Sequence, residues 1–191
     1  LANEEVFIFH QEAFADRVEL ERVLRHLREQ VTNFQPLEIL SEDISLGDLV
    51  SSYLLNSQLI TLGNNEMMML LPEEVQNHGN CMRWLDKIKT SSSIKHFKFV
   101  DIRQSMMNGG GPACLRFKTV VNQEELMLVN KKFLLTPQIL IDLRALITKH
   151  YRDKLTPEAL MDVKLMEESY TFLDELTQLL ELGSIYNFQK F

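Results

Sequence analysis

Cysteine is scarce in this sequence, which holds only Cys81 and Cys114 among its 191 residues. Small secreted domains use many paired cysteines, so we expect reduced thiols and a cytoplasmic protein. No stretch approaches the roughly 18 consecutive apolar residues of a membrane span, and the N-terminus lacks the basic-then-apolar order of a signal peptide. Positive charge is also in deficit, because 20 basic residues face 27 acidic ones. The formal net charge of -7 repels phosphate backbones and anionic lipids, so we expect neither nucleic acid nor a membrane as partner.

Metal-binding patterns are missing as well. The five histidines are far apart, and no pair has the spacing of a zinc site, so we expect no metal. His10 directly follows a predicted strand, where a catalytic base can lie, but a lone histidine there is more often a hydrogen-bonded structural residue. The histidines are His10, His26, His78, His96 and His150.

The 45% of hydrophobic residues is enough to bury a core, and the length suits one domain over residues 1–191 or a piece of a larger one. Apolar spacing predicts a mixed α/β fold whose middle has strand, strand, helix and strand in succession, followed by helices at the C-terminal end. Predicted strands are 6–9, 37–40, 58–62, 66–71, 96–102 and 115–121, with a hairpin turn at 63–65 between the third and fourth. Predicted helices are 12–30, 45–55, 72–89, 137–151 and 163–182. Ser45 and Thr136 are predicted N-caps, and Glu73 and Glu74 are predicted to be a solvated helix start and not an acid/base pair.

One loop has the composition of a site. The run from Asn108 to Cys114 reads NGGGPAC and lies between two predicted strands. Three successive glycines cost folding entropy that an ordinary connection avoids, so such a loop can bring bare backbone close to a ligand. A hairpin loop before a buried thiol is the open alternative, whereas a phosphate-binding loop lacks its Lys-Ser/Thr.

The two cysteines differ in their surroundings. Cys114 opens a predicted strand beside the glycine loop, which suits a rigidly held nucleophile that a base, a nearby cation or a cationic substrate could activate. Cys81 lies in a predicted helix beside Met82 and Trp84 and is predicted to be a packed core thiol.

Several segments resemble a known family. DIRQSMMNGGGPACLR at 101–116 resembles the nucleophile segment of the succinylarginine dihydrolases, a family of the arginine deiminase and amidinotransferase superfamily. VFIFHQEAF, SSYLLNSQLI, HYRDKLTPEAL and LLELGSIYNFQ resemble the C-terminal half of that family, in order and at similar spacing. The resemblance implies a partial β/α propeller of the pentein type. About two strand-strand-helix-strand modules and the C-terminal helices would form one part of a five-module catalytic domain.

The resemblance also implies a chemistry. Cys114 would attack the guanidinium carbon of N2-succinylarginine, and two waters would give N2-succinylornithine, two ammonia and carbon dioxide in arginine catabolism. Asn108 would contact this small-molecule substrate, and no metal or organic cofactor would be needed. The family's catalytic histidine and glutamate lie N-terminal to anything matched here. We therefore expect a further segment before Leu1 and no turnover by the isolated 191 residues.

Two alternatives stay open. The first is another guanidine-modifying enzyme, a deiminase or an amidinotransferase, which shares the thiol adduct. The second is a non-catalytic interaction module, in which the helices 137–151 and 163–182 form a docking or homodimerisation surface and Cys114 is inert. Cysteine protease chemistry is weaker, because papain-like residues around the thiol are absent.

Overall fold

A computed structural model describes residues 1–107, 119 and 121–190 of the chain. Asn108, Cys114 and nearly all of the predicted strand 115–121 lie outside the described residues. The chain divides into two compact units, residues 1–118 and 119–191, and each is described by itself. The single domain expected over 1–191 stays a prediction.

The first unit begins with a three-stranded sheet and one helix. The elements are β1 (Ala2–Asn3), β2 (Val6–His10), α1 (Arg17–Gln30) and β3 (Gln35–Ile39). Strand β1 pairs antiparallel with β2, and β2 pairs parallel with β3. The predicted start of the helix at residue 12 is wrong, because the Asp16 carboxylate accepts from the backbone N–H of Glu19 at 3.0 Å and caps α1 there.

A second strand-strand-helix-strand module follows. After α2 (Leu46–Ser51) come β4 (Gln58–Thr61), β5 (Met67–Pro72), α3 (Gly79–Ser91) and β6 (Ile94–Val100). The predicted hairpin is confirmed, since β4 and β5 are antiparallel and Asn64 and Asn65 take positive φ in the turn. Strand β6 lies parallel to β5, so this sheet repeats the pairing pattern of the first one.

The predicted start of the second module's helix needs correction. Pro72 is the last residue of β5 and not the first of a helix, and Glu73–Asn77 form a short 3-10 turn before α3 begins at Gly79. Proline followed by two acids is typical of a helix start, but here it marks the end of β5 and a 3-10 turn. At α2 the same kind of local evidence is correct: the Ser45 hydroxyl accepts from the N–H of Asp48 at 3.1 Å, as its predicted N-cap role requires.

One hydrophobic core joins the two modules. Along β2, Val6 and Ile8 enter this shared core, whereas Phe7 and Phe9 belong to a smaller cluster against α1. The shared core also holds, from the second module, the side chains Leu59, Met67, Met69, Leu71, Cys81, Trp84, Leu85, Ile88 and Ile94. Each large side chain buried there stabilises the fold by about 1.5–3 kcal/mol. The first strands of the modules also touch, since Asn3 Nδ2 donates to Thr61 Oγ1 at 2.8 Å.

The remaining regular elements of the described chain are helices. Helix α4 (Arg103–Met107) follows β6 in the first unit, and the second unit contains α5 (Gln123–Leu128), α6 (Pro137–His150) and α7 (Val163–Leu179). Thr136 caps α6 at 3.2 Å, as predicted, and α6 packs against α7. Helix α7 ends three residues before the predicted 182, and Gly183 with φ of 68° follows. Across the part of the chain that the structure describes, no helix is both long and apolar enough to cross a membrane.

Candidate functional site

The two residues predicted to carry chemistry, Cys114 and Asn108, lie outside the described residues. The structure does describe the chain that leads to them: β6 ends at Val100, and α4 ends at Met107, directly before Asn108. Ligands of open α/β sheets bind beyond the carboxyl ends of parallel strands. The candidate site is therefore the β5/β6 exit, defined here as the residues directly after those two strands, 73–74 and 101–103.

Neighbouring strands leave the sheet together at this point. Pro72 of β5 and Val100 of β6 are register partners at the ends of the two strands. The carboxylate of Asp101 accepts from the backbone N–H of Arg103 at 2.9 Å, which fixes the first turn of α4. The Nε–H of Arg103 donates to Glu74 Oε1 at 3.3 Å. One ion pair thus connects the segments that follow the two strands.

Glu74 is the less exposed member of that pair. Its side chain is 16% exposed against 62% for Arg103, and its second oxygen, Oε2, is buried. No group among the described residues donates a hydrogen bond to this oxygen. Glu73 beside it is exposed, as predicted for a solvated acid, whereas Glu74 is largely shielded, and both lie in the 3-10 turn and not at a helix start. Sequence patterns could not reveal this, because the partner is 29 residues away.

A small cavity of about 50 Å³ opens beside the β5/β6 exit. Its lining residues are Asn56, Gln58, Leu70, Leu71, Pro72, Val100 and Ile102. This volume can hold water, but it is well below the roughly 300 Å³ and more of an ordinary ligand pocket. The described residues near the exit therefore supply supporting groups, among them the carboxylates of Glu73, Glu74 and Asp101, and not a complete substrate pocket.

His10, the other sequence candidate, is a structural residue. Its ring is 2% exposed at the end of β2. Nδ1 accepts from the backbone N–H of Glu12 at 3.2 Å, so the proton is assigned to Nε2, which donates to the carbonyl of Ile44 at 3.0 Å. Both nitrogens are engaged with backbone. The interpretation of His10 as a hydrogen-bonded structural histidine is confirmed.

Three further histidines lie beside carboxylates. His78 Nδ1 is 3.6 Å from Asp48, His96 Nε2 is 2.9 Å from Glu66, and His150 Nε2 is 3.0 Å from Glu175. Hydrogen bonds from Ser45, then from Asn80, lower the pKa of Asp48. No group of three or more histidine, cysteine, aspartate or glutamate side chains that could hold a metal occurs within 1–107, 119 and 121–190.

Cys81 has the environment predicted for a core thiol. It is fully buried, and its Sγ lies 3.6 Å from Ser52 Oγ. Burial raises the pKa of this thiol above its ordinary value, which disfavours the reactive thiolate. The prediction of a packed core thiol is confirmed.

The second unit contains a larger cavity of about 360 Å³ between α6 and α7. Arg152 lines it and is held by Glu168 at 2.7 and 2.8 Å and by Asp162 at 3.0 Å. All of these contacts are ion pairs between the guanidinium and carboxylates of the same unit. The guanidinium therefore has two carboxylate partners within the second unit, one at the N-cap of α7 and one on α7 itself.

Together these features define a mixed α/β protein with two strand-strand-helix-strand modules and a candidate site at the exit of the second one. Residues 1–189 match the model of the succinylarginine dihydrolase family, and the chain belongs to this family. The resemblance stated from the sequence is thereby confirmed.

Individual relatives agree with this assignment. The chain is 38% identical over 193 residues to the N-succinylarginine dihydrolase of Pseudoalteromonas atlantica, and 37% identical over 191 residues to that of Erwinia tasmaniensis. It is 39% identical over 193 residues to the protein of that name from Idiomarina loihiensis. Each comparison covers 100% of this chain and 43% of the relative, so the chain spans less than half the length of the relatives it matches.

Proposed function

We propose that this chain is the C-terminal, nucleophile-bearing part of a hydrolase that converts N2-succinylarginine to N2-succinylornithine in arginine catabolism. The observation that carries the proposal is the family match over residues 1–189, which includes the NGGGPAC segment at 108–114. Relatives of 37–39% identity that bear the name N-succinylarginine dihydrolase support it.

The proposed reaction has two hydrolytic rounds. The Cys114 thiolate attacks the guanidinium carbon, a carbon–sulfur bond forms, and one C–N bond breaks to release ammonia. Water then attacks the same carbon, and the thiolate leaves, which gives a ureido group. In the second round another water is consumed, and a second ammonia and carbon dioxide leave succinylornithine behind. Asn108 contacts the substrate, and no cofactor takes part, because the cationic guanidinium itself favours the thiolate.

The fold supports this proposal through its repeat. Two modules with the same strand order and pairing fill the first unit, as two of the five modules of a pentein propeller would. The catalytic histidine and glutamate then belong to the remaining modules, and the backbone contacts of His10 agree with a different residue serving as the base.

The composition supports the proposed setting. Two cysteines and a net charge of -7 suit a cytoplasmic enzyme that acts on a small molecule, without nucleic acid or membrane as partner. Completion of the site by other modules also implies that the 191 residues alone release no ammonia from succinylarginine.

The test uses the longest natural form of the protein that contains these residues. We expect two ammonia and one succinylornithine per succinylarginine by mass spectrometry and ammonia assay. Cys114→Ser should abolish turnover, whereas the matched control Cys81→Ala should keep kcat within about threefold, because Cys81 only fills the core. Turnover by Cys114→Ser would refute the nucleophile, and a ureido product with a single ammonia would favour a deiminase.

A further inference from the structure

We propose that Glu74 and Arg103 are positioning residues that fix the direction in which the chain leaves β6 toward the candidate nucleophile. The inference rests on the proposed role of Cys114. It concerns residues to which neither the family match nor the sequence motifs assign a role, and it starts from their 3.3 Å ion pair.

The ion pair lies where β5 and β6 leave the sheet. Glu74 lies two residues after the end of β5, and Arg103 lies three residues after the end of β6. Because Pro72 and Val100 are register partners, the ion pair spans two adjacent strand exits. Arg103 is also the first residue of α4, whose last residue directly precedes Asn108. A contact that fixes the first turn of α4 therefore also limits the direction in which the chain continues to Asn108.

The Glu74 carboxylate is largely removed from water, and its Oε2 accepts no hydrogen bond from the described residues. Arg103 supplies an opposite charge to this largely shielded carboxylate across 3.3 Å. Loss of the guanidinium removes the contact between the two strand exits, so the first turn of α4 loses one of the side-chain contacts that hold it.

The ion pair should affect the reaction rate more than the stability of the fold. Arg103 is mostly exposed, and pairs of this kind contribute little to the free energy of unfolding. A small displacement of a nucleophile, in contrast, costs a large factor in rate. Substitutions at Arg103 should therefore change the rate of the chemical step far more than the melting temperature.

The experiment measures kcat, KM and Tm on N2-succinylarginine in the longest natural form. We expect Arg103→Gln and Glu74→Gln to lower kcat roughly fivefold to twentyfold, with KM changed by less than about twofold. Arg103→Lys keeps the charge and should retain kcat within about twofold of wild type. A matched control should leave kcat unchanged: Arg17→Gln, which breaks the 2.6 Å pair with Glu38 in the other module.

The outcomes separate the two proposals. No turnover by wild type, or full turnover by Cys114→Ser, overturns the proposed function. Loss of activity in Cys114→Ser together with unchanged kcat in Arg103→Gln and Glu74→Gln overturns the positioning pair alone. An equal loss in Arg103→Lys and Arg103→Gln, or an equal loss in Arg17→Gln, also overturns it, because the charge contact is then not the cause.

A second readout does not depend on turnover. In the 191-residue chain with Cys81→Ala, the rate of Cys114 alkylation by iodoacetamide is followed from pH 6 to pH 10. Arg103→Gln should change this rate at least about threefold at some pH in that range, and Arg17→Gln should not. Superimposable profiles for wild type and Arg103→Gln would overturn the positioning role.

Discussion

The ring of His10 donates from Nε2 to the carbonyl oxygen of Ile44, 3.0 Å away, and so connects the end of β2 to the loop before α2. The other nitrogen, Nδ1, accepts from the backbone of Glu12. Since the ring is almost fully buried, both of these backbone groups depend on it for a partner.

His10→Ala should therefore destabilise the chain without affecting chemistry. It removes the partner of the buried Ile44 carbonyl and of the part-buried Glu12 N–H and opens a cavity, so we expect a loss of about 2–4 kcal/mol in the free energy of unfolding by urea titration. The control His96→Ala removes a half-exposed ring and should cost no more than about 0.5 kcal/mol. If His10→Ala instead retained full stability and lost turnover in the longest natural form, the structural assignment would be wrong.

Local signals predicted the order of elements well. Ser45 and Thr136 were recognised as caps because residue type and spacing alone determine an N-cap, and the structure shows both hydrogen bonds. The start of α1 was misplaced because Phe14 has helical spacing in the sequence. In the structure Phe14 lies before α1, and its ring makes edge contacts with Phe7 and Phe9 of β2. Tertiary packing of an aromatic ring thus overrode the periodicity.

The candidate site was predictable only in part. The resemblance to the family predicts roles for Cys114 and Asn108, which lie outside the described residues and stay predictions, whereas the core role of Cys81 followed from its helical neighbours and is confirmed. The Glu74–Arg103 pair could not be predicted, because it depends on the register between two parallel strands joined by α3. Such long-range pairing leaves no periodic signal in the chain.

The cap of α1 gives a second prediction. Asp16→Ala removes the side chain that accepts from Glu19 N–H, and it should lower the free energy of unfolding by about 1 kcal/mol. Asp16→Asn keeps an acceptor and should cost less than half as much. Equal losses in the two variants, measured by chemical denaturation, would show that the side-chain cap does not stabilise α1.

Thiol titration gives a third prediction. Burial raises the pKa of the Cys81 thiol, so its thiolate fraction near neutral pH is below that of a free cysteine and increases only at alkaline pH. In the native chain at pH 7.5, a chromogenic disulfide should react with no more than one thiol, and both should react in denaturant. Cys114→Ser should abolish the native reaction, while Cys81→Ala should leave it intact. Rapid native labelling of Cys81 would contradict its burial.

The Arg152 network gives the last prediction, which concerns pH. Hydrogen bonding to Arg152 lowers the pKa of Glu168, and the pKa of Asp162 is lowered first by the backbone N–H of Lys164 and then by Arg152. A carboxylate whose pKa is lower in the folded state stabilises the fold above its unfolded pKa of about 4, and this contribution disappears as pH falls through the folded value.

Arg152→Gln should therefore lower Tm at pH 7, and the difference from wild type should shrink toward zero below about pH 4. Arg144→Gln, at an exposed arginine on α6, serves as control and should leave Tm unchanged across the same range. A Tm difference for Arg152→Gln that stayed constant from pH 7 to pH 3 would show that the side chain stabilises the helix pair by packing and not by its charge.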